Sequence, residues 1–295
     1  FNMGDLYEKF IKEVPCWCSQ HFSFLTTPSD HMYNHMIMYG ACPRVLAVTA
    51  MRTIAPKSAN NPKILKKINK YFKDYILPEY QLYLQKGLFI NVKAWFNTLK
   101  TPSKQKEVVK YMYQLLGIEE EGPVDGFTKV EPQVEGEKMR SVGDCGPLGK
   151  MVLGPILKSL DYASACVFDD LWGVGQSYQD KGRKFNRLYD LGYLTSISLD
   201  ITGMDQSHNP LIKEFWAILI REFASIAGPK LHVPLELIER VACKVFTRIN
   251  YATRNIAGIK ILVAKVQLKD KMCSGQPYTT VLNTVMICIS LRYIQ

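Results

Sequence analysis

The sequence predicts a mixed α/β fold of the α+β kind, and three observations predict it. Residues 61–75 and 210–227 repeat apolar side chains with the helical period. Residues 194–199 (LTSISL) and the runs 245–253 and 258–268 are rich in β-branched and apolar residues, as strands are. With 295 residues, 47% of them hydrophobic, the chain can bury the core of one large domain or of two smaller ones.

Composition narrows the partners. Thirty-seven Lys and Arg against 27 Asp and Glu leave a formal charge of +10, which favours a polyanion such as nucleic acid. Eight cysteines are scattered along a chain that shows no signal peptide, which argues for reduced intracellular thiols rather than a disulfide framework. Cys16, Cys18 and His21 are too tightly spaced for zinc and lack a second ligand pair, so buried thiols are the simpler reading. No apolar run reaches the ~18 residues of a membrane span, so no transmembrane segment is expected. The start at Phe1 and the end at Gln295, inside a predicted helix, read as a piece of something longer.

Taken in order, residues 61–75 (NPKILKKINKYFKDY) place Ile64, Leu65, Ile68, Phe72 and Tyr75 on one helical face and five lysines largely on the other. That basic face is either simply solvated or one wall of an RNA channel. Thr101-Pro102-Ser103 signals the start of a further helix that stops at Gly117. Residues 119–126 (EEEGPVDG) read as a loop, and 127–131 (FTKVE) as a short strand. A polar loop with Lys138 and Arg140 follows, then a glycine-rich approach to a helix ending near Ala165. Those glycines match neither a P-loop nor a dinucleotide fingerprint. Residues 194–199 form the strand that delivers Asp200. The helix 210–227 is expected to stop at Gly228-Pro229, and another spans about 234–244. The two runs after it make a hairpin, and a Ser274-Gly275 turn leads into a last helix over about 277–291.

The chemistry centres on SLDITGMDQS. A carboxylate at the C-terminal end of a strand, here Asp200, can hold a hard cation such as Mg²⁺ together with phosphate oxygens. Asp205, five positions on, returns near the same place. Downstream, Ser274 and Gly275 make a flexible loop, and Thr279 and Asn283 lie four apart on one face of the helix it feeds. A hydroxyl and an amide so placed can read a ribose 2′-OH, which both donates and accepts. Upstream, Lys129, Lys138 and Arg140 supply cations suited to a triphosphate.

This order, a basic loop, a strand with Asp-x4-Asp, a hairpin, then Ser-Gly-x3-Thr-x3-Asn, resembles the RNA-dependent RNA polymerases of positive-strand RNA viruses. The tombusvirus-like and nodavirus-like group is the most similar. FTKVE and KMRSV look like motif F, LDITGMDQ like motif A and SGQPYTTVLN like motif B, so the resemblance covers residues 126–295. It extends more faintly to VKAWFNTLKTPSKQKEVVKY upstream.

The resemblance implies a right-hand polymerase fold with an antiparallel palm sheet. Residues 1–125 would form the N-terminal and fingers region, 126–193 the fingers with the basic loop, and 194–295 a partial palm. Asp200 would be a catalytic ligand of Mg²⁺ (or Mn²⁺). Asp205, with Asn283 and Thr279, would select ribonucleotides. Ser274 and Gly275 would form the loop that moves with the nascent base pair. Lys129, Lys138 and Arg140 would contact NTP phosphates, and Glu131 would orient those cations. The implied partners are template and nascent RNA, the NTPs and other viral replicase domains, at membrane-associated replication complexes in the host cytoplasm.

The family's motif C, a strand-turn-strand with Gly-Asp-Asp, would lie past Gln295, as would the thumb. The resemblance therefore implies a fragment that is inactive alone. Asp169-Asp170 is the one upstream pair that a permuted enzyme could use. The competing reading is a non-catalytic RNA-binding protein with a degenerate palm. Reverse transcriptase fits less well, because Asp205 and Asn283 suit 2′-OH selection.

Overall fold

The structure, a computed structural model, describes residues 22–25, 35–38, 42–54, 61–86, 92–99, 102, 105, 124–129, 133–134, 140–144, 146–193, 208–231, 235–242, 246–254, 257–272, 274–275 and 278–295. It is mixed α and β, mostly helical, and falls into two units. The predicted strand at 194–199 and most of the predicted helix 101–117 lie outside the described residues.

The first unit comprises Phe1–Lys57, Gly122–Gly146 and Val245–Gln276. Strands β1 (Phe22–Leu25), β2 (His35–Met38) and β4 (Gln133–Val134) pair antiparallel in that order. A mixed four-stranded sheet holds β5 (Ser141–Asp144), β3 (Val124–Thr128), β6 (Phe246–Arg254) and β7 (Lys260–Lys269). The pairings β5–β3 and β6–β7 are antiparallel, whereas β3–β6 is parallel. The expected hairpin is therefore present as β6–β7.

Strand β3 begins at Val124, inside the stretch read as a loop. Pro123 and Gly126 suggested a turn, but the β period governs, with Val124, Gly126 and Thr128 buried and Asp125 and Phe127 exposed. Gly126 is glycine for want of space, since a Cβ there would come within 2.6 Å of Ile249 Cγ2. Helix α1 (Pro43–Ile54) lays Leu46 and Ala50 on Val124, Ile249, Tyr251, Val266 and Leu268 of this sheet. Its threonines tie it down by hydroxyl bonds, Thr49 to Thr128 and Thr53 to Tyr251, each 2.8 Å. Tyr251 in turn meets Ser141 of β5 at 2.6 Å. In β7, Val263 is an extra residue at the register shift beside Tyr251 and Ala252, so the side-chain alternation changes parity there.

The second unit comprises Ser58–Glu121, Pro147–Lys244 and Pro277–Gln295, and its described elements are all helices. Helix α2 (Pro62–Tyr71), capped by Asn61, passes through a π turn (Phe72–Ile76) into α3 (Leu77–Gln85). The π turn keeps Ile68, Phe72, Ile76, Tyr80 and Leu84 facing inward and leaves Tyr75 exposed, and Ile64, in the first turn of α2, is exposed as well. Helix α4 (Val92–Asn97) presses the Trp95 indole onto Gly154 of α5 (Gly146–Phe168), where no Cβ would fit. α5 ends three residues beyond the expected Ala165.

By length and composition Gly149–Phe168 could cross a membrane, but 78% of that window is buried inside the structure, as in the core helix of a soluble fold. Helix α6 (Tyr178–Asp190) follows a capping box at Ser177 and Asp180. α7 (Pro210–Leu231) continues through Gly228-Pro229 instead of stopping there, since a proline near the end of a 22-residue helix removes only one ladder bond. α8 (Leu235–Ala242) and α9 (Thr279–Ile294) complete the unit. Phe72 meets Phe215 edge-on at 4.4 Å, and Tyr80 does the same with Phe223 at 5.7 Å.

Candidate functional site

The basic loop is framed by β3 and β5. Just beyond the Thr128–Ser141 pair, the Lys129 amide donates to the Arg140 carbonyl at 2.9 Å. Cross-strand partners point to the same side, so the two exposed cations share one face of the sheet with Phe127. Both side chains carry the positive charge that phosphate oxygens pair with. Glu131 and Lys138 lie outside the described residues.

The Ser274-Gly275 turn docks on this framework. The Gly143 amide of β5 donates to the Ser274 carbonyl at 2.6 Å, which satisfies a donor on the edge strand. Gly275 has a φ of +91° and lies so close to β5 that a Cβ would overlap Val142. A loop assigned from sequence alone thus meets the strand that follows the basic loop.

A second group assembles in the helical unit. Thr279 opens α9, and Asn283 lies one turn further on. Asn283 Oδ1 is 3.0 Å from His208 Nε2. His208 is 2% exposed and packs on Trp216 at 4.3 Å between ring centroids, with Trp216 next to the buried Tyr278. Its position is firmly set, because the Asn209 side chain caps α7 by accepting from the amides of Leu211 and Ile212 at 3.0 and 3.1 Å. The Leu211 carbonyl also accepts from Asn69 Nδ2 at 3.0 Å.

His208, Trp216 and Tyr278 were missed by sequence reasoning. The one available signal was a histidine directly before an Asn-Pro helix start and three positions past Asp205. Burial, which gives it meaning, is a tertiary property. With Oδ1 turned to His208, the Asn283 amide directs its amino end away from the ring, as a donor to a ribose hydroxyl requires.

Asp200 and Asp205 lie outside the described residues. Among the described residues no three His, Cys, Asp or Glu side chains come together as a metal site. In the first unit the two cations suit phosphate recognition, and in the second the Thr279 hydroxyl and the Asn283 amide suit ribose recognition. Asp169 does not sit in a strand-turn-strand. It opens a 3-10 turn (Asp169–Leu171) at the end of α5, and Lys184 Nζ donates to the carbonyls of Asp169 and Trp172 at 2.6 and 3.0 Å. That is a capped helix end, so the permuted arrangement finds no hairpin there. Comparison with protein-family models gives no match, and comparison with curated proteins gives none either.

Proposed function

We propose that the chain is the fingers and the first part of the palm of an RNA-directed RNA polymerase of a positive-strand RNA virus. The observation that carries this reading is the His208–Asn283 hydrogen bond. It joins the tail of the segment bearing Asp205 to the face of α9 bearing Thr279, two segments whose meeting the 2′-OH selection of such an enzyme requires. The docking of Ser274-Gly275 beside the basic hairpin supports it independently.

In this reading Lys129 and Arg140 bind the triphosphate as point charge and fork. Thr279 and Asn283 hold the ribose, and Asp205 approaches the same hydroxyl. The carboxylate of Asp200 would hold Mg²⁺, which stabilises the attacking 3′-oxygen and the leaving pyrophosphate. The protein's own work is positioning, with template RNA, nascent RNA and NTPs as ligands and other replicase domains as partners.

The test is RNA-templated NTP incorporation by the protein translated from the complete reading frame that holds this chain. We expect Mg²⁺-dependent incorporation that falls by about 10²-fold or more in Asp200→Ala, with RNA binding kept. A wild-type protein that binds RNA but incorporates nothing would leave a non-catalytic RNA-binding protein in its place.

A further inference from the structure

We propose that the face of the four-stranded sheet turned away from α1 docks the phosphate backbone of single-stranded RNA. The face is defined by the pleat. In β6, Thr247, Ile249 and Tyr251 are buried toward α1, which leaves Arg248 and Arg254 exposed on the other side. In β7 the extra residue Val263 resets the alternation, so that Lys260 before it and Lys265 and Lys269 after it all share that outer side. Without the bulge, Lys260 and the later lysines would face opposite ways.

Lys129 and Arg140 complete the same face from β3 and β5, and among the described residues of these strands Asp125 and Asp144 are the acidic side chains on that side. Two pairs of like charges, Arg254 with Lys260 and Lys129 with Arg140, stand directly across from each other. Such pairs cost stability in a free sheet and are relieved by a polyanion laid along it. Asp125 partly offsets one of them through its 3.0 Å ion pair with Lys260.

Phe127, 43% exposed, stands between Asp125 and Lys129 on the same strand and offers a ring for a base to stack on. Cations in rows with an exposed aromatic among them suit a strand whose bases are accessible. A duplex buries its bases, and a lipid surface has none to stack. The inference shares with the polymerase reading its ligand, RNA, and the cations Lys129 and Arg140, which the test leaves in place, and that test needs no nucleotidyl transfer.

The test uses this chain and a fluorescent single-stranded RNA titrated over a range of KCl. In the face variant R248E/K265E/K269E we expect affinity to fall about tenfold or more. The slope of log K against log salt should lessen by about 2, at roughly 0.7 per lost phosphate contact. The control K63E/K66E/K67E makes the same change in charge on α2 and should leave the affinity within about threefold. The neutral set R248Q/K265Q/K269Q, checked by its melting curve, should weaken binding in the same direction and guards against a misfolded reversal.

The proposal is overturned if the control weakens binding as much as the face variant, or if the face variant binds like the wild type. It is also overturned if duplex RNA binds as tightly as the single strand. Loss of binding to phosphatidylserine vesicles in the face variant, with RNA binding unchanged, would assign the face to a membrane instead. A polymerase assay without incorporation would sink the catalytic reading and leave these binding results standing.

Discussion

At Gly275 two constraints coincide, a left-handed backbone and a strand too close for any side chain. Gly275→Ala should therefore cost about 1–3 kcal/mol from the backbone alone, with the overlap on Val142 added. Urea unfolding checks this, and an unchanged midpoint would mean that the turn does not rest on β5. Cys288 carries a different kind of constraint. Burial pushes its thiol up from the ordinary value of 9.0 to about 11, although Arg292 opposes the shift. Unfolded, the thiol ionises near 9.0, whereas folded it keeps its proton to about 11. Its contribution to stability is thus intact below pH 9.0 and is lost as pH rises through about 11. Midpoints at pH 8, 9.5 and 10.5 should fall in that order, and less steeply in Cys288→Ala. At pH 8 iodoacetamide should modify the exposed Cys166 and spare Cys288, as read by mass spectrometry. Of these residues, Gly275 was legible as a turn because Ser-Gly is a turn signal. Its docking on β5, and the burial of His208 and Cys288, depend on partners far along the chain that no local pattern encodes.

Among the elements, the π turn in the α2–α3 rod explains both what the sequence made plain and what it hid. The lysine-rich helix was legible from its period, and Ile68 and Phe72 are buried as expected. Beyond them the buried row runs Ile68, Phe72, Ile76, Tyr80, Leu84, in steps of four. A regular α-helix would drift by about 40° at each such step, and the wider turn takes up the difference. Deleting the exposed Asp74 should hence restore an ordinary helix with its inner face kept and move the melting temperature by only ~4 °C. Loss of a cooperative melt would show that the wide turn is required. Further along the same row, the Tyr80 and Ser164 hydroxyls meet at 2.6 Å, both fully buried. Tyr80→Phe leaves Ser164 without that partner and should cost about 1–3 kcal/mol in urea unfolding. The strand at Val124 was hidden by turn-forming residues, and the end of α7 by a Gly-Pro that the helix passes through. At Val124 tertiary packing outweighs local preference, and in α7 the proline removes too few ladder bonds to end the helix.

For the whole molecule, the mixed α and β character, the β6–β7 hairpin and the basic charge were readable because each follows from composition or a short period. The division into units was not readable, because both units are built from separated stretches of chain. Strand β3 takes β6 as its parallel neighbour, although β4, β5 and the helices α5 to α8 come between them in the chain. Residues 1–146 on their own should consequently show no cooperative unfolding by circular dichroism, while the full chain does; a cooperative transition in the short piece would refute this dependence. The same connection bears on how the protein is made. A ribosome adding roughly 5–20 residues per second reaches β6 some 6–25 s after β3. Through that interval β3 has emerged with one flank unpaired and Val124 uncovered. Holdase chaperones acting on the nascent chain, or a translation rate quick enough to shorten the wait, would decide how much of the newly made protein escapes aggregation.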